Sequence, residues 1–170
     1  QDLYAKGGRN REMAFGGPLA LPARDGEDWQ RVRQKMNPSF QSSSLKAMHD
    51  LMVSDINEGI DRWTANTTRL DLQYEFKQIV MSVLIRLMFT DRVPRQDVAD
   101  LVDNLTEYGS GMAWRMIQHG MPSWIPRRYA IKGGRAQAWL LRYLDARIAE
   151  RQAQPRDTPD LLHHLLDLHE

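Results

Sequence analysis

The chain contains no cysteine in its 170 residues. No disulfide can staple it, and none of its own residues can supply a thiolate as nucleophile or metal ligand. It also lacks an apolar run long enough to cross a bilayer. The longest, around Ile79 to Phe89, is broken by Ser82 and Arg86, short of the ~20 residues a spanning helix needs. An excess of one charge is missing too: Lys+Arg 23 against Asp+Glu 22 leave a formal +1. That provides no general field for nucleic acid or an anionic membrane. Familiar site patterns are equally scarce. Gly7-Gly8 has no preceding strand, no G-x-G-x-x-G spacing and no P-loop Lys-Ser/Thr, so it is not a phosphate loop. Neither G-x-S-x-G nor H-E-x-x-H occurs. His163, His164 and His169 gather near the end without an i, i+4 pair, and the acidic residues fall mostly on solvated helix faces. No catalytic centre can be assembled from these residues alone. The first residue is Gln and no signal or transit pattern precedes the fold, so the chain reads as an internal part of a longer frame.

What is present is helical periodicity. A hydrophobic content of 42% suffices for one packed domain. Residues 1–24 are punctuated by Gly7-Gly8, Gly16-Gly17-Pro18 and Pro22 and read as a loop. Ser42-Ser43-Ser44 offers N-caps for a helix whose apolar stripe is Leu45, Met48, Met52, Ile56, Ile60 and Trp63; Gly59 within it signals a close helix contact. A brief alternation at Leu70-Asp71-Leu72 permits at most one or two tiny strands. From about Gln73, the stripe Phe76, Ile79, Val80, Val83, Leu84, Leu87 and Met88 predicts the most buried helix of the chain. Pro94 opens another helix, continued by Val98, Leu101, Val102, Leu105 and Tyr108, then weakened at Gly109-Ser110-Gly111, where a bend is expected before it resumes through Ile117. A long helix follows from about Arg135 to Pro155. A last one is expected after the cap Asp157-Thr158-Pro159. The expected fold class is all-α, with about six helices and minimal β structure.

One stretch carries more than packing information: Asp25 to Phe40, DGEDWQRVRQKMNPSF. Trp29 and Arg33 stand four residues apart, so on a helix they share one face, about 6 Å apart along its axis. An indole N–H only donates, and a guanidinium fork adds donors with a permanent charge. Side by side they suit a carboxylate or another oxyanion. Asn37-Pro38 is expected to end this helix by driving the residue before proline out of the α region.

The wording G-E-x-W-x-x-x-R followed by N-P-x-F resembles the C helix of the cytochrome P-450 superfamily, the heme-thiolate monooxygenases, and the later segments match that family in order. The resemblance implies that Trp29 and Arg33 contact a propionate of heme b. It further implies that Met13, Phe15 and Leu19, before the C helix, help to line a substrate pocket, and that Met112, Trp114 and Met116, with Met121 and Trp124, roof it. Both groups serve equally well as ordinary core. By the same resemblance the chain covers residues 1–170 as a partial domain, from the pre-C loop to the H helix. It lacks the N-terminal sheet, the A/G-G-x-D/E-T-T of the I helix, the E-x-x-R of the K helix and the Cys heme loop. The axial cysteine that holds the iron in this family is therefore absent from the chain. The intact parent is expected to hydroxylate a small apolar substrate with dioxygen and electrons from a reductase or ferredoxin, the fragment alone being inactive. No nucleic acid is expected as partner. Membrane contact is left open, and so is compartment: cytoplasmic for a bacterial member, membrane-anchored where an anchor precedes the chain. The competing expectation is a non-catalytic all-helical interaction module in which the Trp and Met residues only make a core.

Overall fold

The computed structural model describes residues 20–66, 69–89, 92–118, 128–154 and Leu162. Within them lie five α-helices: α1 (Gly26–Met36), α2 (Ser42–Asn66), α3 (Leu72–Phe89), α4 (Arg95–Gln118) and α5 (Arg128–Ala153). Two 3-10 turns, Leu21–Ala23 and Asn37–Phe40, flank α1. No strand occurs among the described residues; the chain is all-α. The helix expected after Pro159 lies outside the described residues, apart from Leu162, which is helical and buried. The chain divides into two compact units, Gln1–Ala47 with Pro159–Glu170, and Met48–Thr158.

In the first unit, α1 starts from Asp25 in extended conformation (φ −132°, ψ 165°) and turns into the helix through Gly26 at φ +58°. A Cβ at Gly26 would meet nothing within 4 Å, so glycine is required there by its backbone angle alone. Glu27 and Asp28 sit in the first turn and Arg33 and Lys35 in the last, each sign placed where the helix dipole favours it. The helix stops at Met36, as expected, but not in the expected way. Asn37 keeps α-region angles (φ −52°, ψ −39°) and the chain tightens into the 3-10 turn Asn37–Phe40. The break follows from the N–H that Pro38 cannot donate and from its ring, not from expulsion of Asn37. Ser44 Oγ donates to Pro38 O at 2.9 Å, which ties the start of α2 to that turn.

In the second unit, the apolar stripe of α2 is only partly turned inward, with Met52 and Trp63 half-buried. Ile56 and Ile60 are exposed, whereas Asp55 and Gly59 are buried. A Cβ on Gly59 would lie 2.5 Å from Ile79 Cγ1, so the glycine admits the α3 side chain against the α2 backbone, as its presence in a helix had suggested. Farther along, the Trp63 ring meets Phe76 edge-on at 5.3 Å. Asp71 Oδ1 accepts the Tyr74 N–H at 3.1 Å, a side-chain cap for the first turn of α3. The expectation that α3 is the most buried helix holds: it has the smallest exposed share of the five helices, only Leu72, Gln73, Phe76, Val80 and Leu84 being exposed. Gln78, Ile79, Ile85 and Phe89 are buried, but Phe76 is 54% and Val80 56% exposed. Its stripe spans more than one face: the Ile79–Ile85–Phe89 side is buried, while Phe76, although it meets Trp63, and Val80 stay exposed.

The most extensive helix pair is α4 with α5. Val98, Leu101, Val102 and Tyr108 of α4 and Ala136 and Leu140 of α5 are all buried. The expected bend at Gly109-Ser110-Gly111 does not occur, and α4 runs unbroken for 24 residues. The intrinsic cost of glycine in a helix remains, but tertiary packing outweighs it. Here Gly111 lies directly against Gly133 of α5, where an added Cβ would stand 2.6 Å from the Gly133 Cα. The same contact explains why α5 begins at Arg128, seven residues before the expected start: Gly133-Gly134 belong inside the helix and serve the crossing. At the far end of α5, Arg151 Nη2 donates to Phe89 O at 2.8 Å, satisfying a carbonyl that the end of α3 leaves without a helical partner.

Candidate functional site

α1 places Trp29 and Arg33 on one face, and their side chains meet. The Arg33 guanidinium carbon sits 5.3 Å from the centre of the Trp29 ring, a cation–π contact. No residue of α1 is buried, Trp29 being 36% exposed. The pair therefore faces outward from its own unit.

The flanking charges sharpen this arrangement. Asp28 accepts from Arg24 Nη1 at 2.7 Å and from Arg31 Nη2 at 2.8 Å. Hydrogen bonds from Arg31 and then Arg24 hold the Asp28 carboxyl below its ordinary value of 3.8, so it is ionised at neutral pH and engaged on its own side of the helix. Arg33, by contrast, forms no ion pair with a carboxylate among the described residues. A site with an indole N–H and a guanidinium that has no carboxylate partner among the described residues can bind a carboxylate or a comparable oxyanion. It offers no nucleophile and no base.

The other sequence-derived candidates are distributed as follows. Met13, Phe15 and Leu19 lie outside the described residues, as do Met121 and Trp124. Met116 lies in α4, but its side chain is outside the described set. Met112 and Trp114 are half-buried on α4, and Trp114 meets Tyr129 of α5 edge-on at 5.4 Å. The structure thus brings Trp29 to Arg33, and Trp114 to the start of α5.

Two features escape the sequence-derived candidates. An apolar groove of about 690 Å³ runs between α3 and α4, lined by Phe76, Val80, Leu84 and Leu105 among others. The i, i+4, i+8 stripe Phe76–Val80–Leu84 was visible as helix periodicity, but periodicity does not say which stripe remains uncovered. The second is a polar cavity of about 60 Å³ between α2 and α3, around Asp55 and Arg86. Its residues are charged and spaced like any solvated helix face, so no sequence signal separated them. Among the described residues no three His, Cys, Asp or Glu side chains group to hold a metal ion, and no helix is long and apolar enough to cross a membrane.

Compared with known proteins, residues 8–170 match the model of the family described as cytochrome P-450. None of the curated proteins compared with the chain matches it.

Proposed function

The chain belongs to the cytochrome P-450 family of heme monooxygenases, and on that premise we propose that α1 binds a propionate of heme b through Trp29 and Arg33. The parent enzyme, on this reading, hydroxylates an apolar organic substrate with dioxygen and electrons from a reductase or ferredoxin. The observation that carries the proposal is the Arg33 fork stacked 5.3 Å over the Trp29 ring while the neighbouring carboxylate, Asp28, is taken by Arg24 and Arg31. A cation on an exposed helix face with no carboxylate partner among the described residues suits an external anion, and a planar carboxylate matches both donors.

The donor set fits the carboxylate edge of a heme and offers no thiolate for its iron, since the chain contains no cysteine. When bound, the heme supplies the iron chemistry that activates dioxygen. The residues of this chain bind and orient. Arg33 neutralises the propionate and fixes its plane by a fork, and Trp29 donates its single N–H and gives the guanidinium a face to rest on. Met112 and Trp114 fit the role of adaptable apolar wall for the substrate: a thioether and an indole, half-buried near the C-terminal half of α4.

In the full-length heme-loaded protein, Arg33→Ala should speed heme transfer to a stronger heme acceptor by roughly 10- to 100-fold, the equivalent of losing a charged hydrogen bond of ~1.5–3 kcal/mol. Arg33→Lys should lie between that and wild type, because an ammonium retains charge but not the fork. A heme-loss rate unchanged in Arg33→Ala would refute the assignment.

A further inference from the structure

We propose that the polar cavity between α2 and α3 is a binding site for a free tetrahedral oxyanion of the size of phosphate or sulfate. The cavity is built by two matched helix faces. Asp55, Gly59 and Arg62 lie at i, i+4, i+7 on α2, and Ile79, Ser82 and Arg86 at i, i+3, i+7 on α3. Gly59 and Ile79 close the seam; the polar members line a space of about 60 Å³, with Arg92 and Glu58 at its rim. That is room for several waters or one small ion.

The hydrogen bonding inside is incomplete in one direction. Ser82 Oγ donates to Asp55 Oδ2 at 3.4 Å, and Arg86 Nε stands 3.7 Å from the same oxygen, an ion pair too long for a hydrogen bond. The Arg86 side chain is only 10% exposed and that of Asp55 only 5%. Arg86 Nε and Arg62 Nε are both buried without a hydrogen-bond partner among the described residues. Every such atom on the cavity wall is a donor on a cation, so the wall suits an occupant that accepts hydrogen bonds and carries negative charge.

Charge leads to the same conclusion. Asp55 offsets Arg86, and at the rim Glu58 lies 3.6 Å from Arg92. Arg62 has no acidic partner among the described residues, so the wall keeps one net positive charge. Water would satisfy the donors but leave that charge uncompensated beside the buried Arg62 Nε and Arg86 Nε. An oxyanion answers both deficits.

The test uses full-length protein in phosphate-free chloride buffer at fixed ionic strength. Equilibrium dialysis against inorganic phosphate should show saturable binding of one ion per chain, displaced by sulfate and not by added chloride. A phosphomonoester should compete more weakly than phosphate, because its organic group has no room in the cavity. Arg62→Gln, which keeps side-chain length, should weaken binding by about tenfold or more. Arg92→Gln, at a rim position whose side chain is 64% exposed, should weaken it several-fold, and it decides the matter if Arg62→Gln does not fold. Absence of saturable phosphate binding would overturn the proposal in favour of water. Binding that survives in both variants would reduce it to an adventitious surface ion, and a phosphomonoester that outcompetes phosphate would overturn the free-ion assignment.

Discussion

Two glycines on one helix, two residues apart, should respond to the same substitution with opposite signs. At Gly111 a new Cβ would lie 2.6 Å from the Gly133 Cα, 2.9 Å from the Tyr129 carbonyl oxygen and 3.2 Å from the Gly133 nitrogen. All three are backbone atoms, so no side chain can rotate away. Ordinary contact begins near 3.4 Å, and α4 and α5 would have to part by roughly 1 Å, which strains a pair packed at interior density. Overpacking of this kind costs ~1–3 kcal/mol, here at the upper end because backbone opposes backbone. Against it stands a gain of about 1 kcal/mol from replacing glycine in a helix. The net effect of Gly111→Ala is a loss of about 2 kcal/mol, or a melting temperature lower by ~4–8 °C in a chain of this size. At Gly109 nothing lies within 4 Å of the added Cβ and the backbone is ordinary helix. Gly109→Ala should keep the propensity gain of about 1 kcal/mol and raise the melting temperature by ~2–4 °C. Urea denaturation followed by circular dichroism reads both. Shifts of the same sign, or a Gly111→Ala protein as stable as wild type, would refute the close crossing of α4 and α5.

Truncating two phenylalanines of α3 should separate its covered face from its open one: Phe89→Ala, at 6% exposure, should cost ~3–5 kcal/mol. Phe76→Ala, at 54% exposure, should cost about 1 kcal/mol, mainly its edge contact with Trp63; equal losses in denaturant titrations would contradict the burial pattern. Tyr74 is pushed above its ordinary value of 10.0, first by burial and then by its hydrogen bond to Asp103. Its neutral form is therefore favoured in the folded chain. The stability this contributes is complete below that ordinary value and is lost as pH rises through the raised folded value. Tyr74→Phe should flatten the alkaline fall in stability, and a fall of unchanged steepness would count against it.

The sequence by itself determined the helical class, the approximate positions of the helices and the pairing of Trp29 with Arg33. Each is a local property: apolar recurrence every three or four residues, a proline without an N–H at position 38, and an i, i+4 spacing that any α-helix converts into a shared face. Family membership was legible for the same reason, since G-E-x-W-x-x-x-R and N-P-x-F are contiguous. Which face of each helix turns inward was decided only by tertiary structure. On α2 the apolar stripe through Ile56 and Ile60 stays largely open, while Asp55 and Gly59 go inside, because Gly59 lets Ile79 approach and the buried charge finds Arg86 on another helix. Gly109-Ser110-Gly111 reads as a weak point in α4, but Gly111 packs against Gly133 of α5 and the helix runs through. Partners distant in sequence supply the energy that overrides local propensity, and no single helix records who its partner will be.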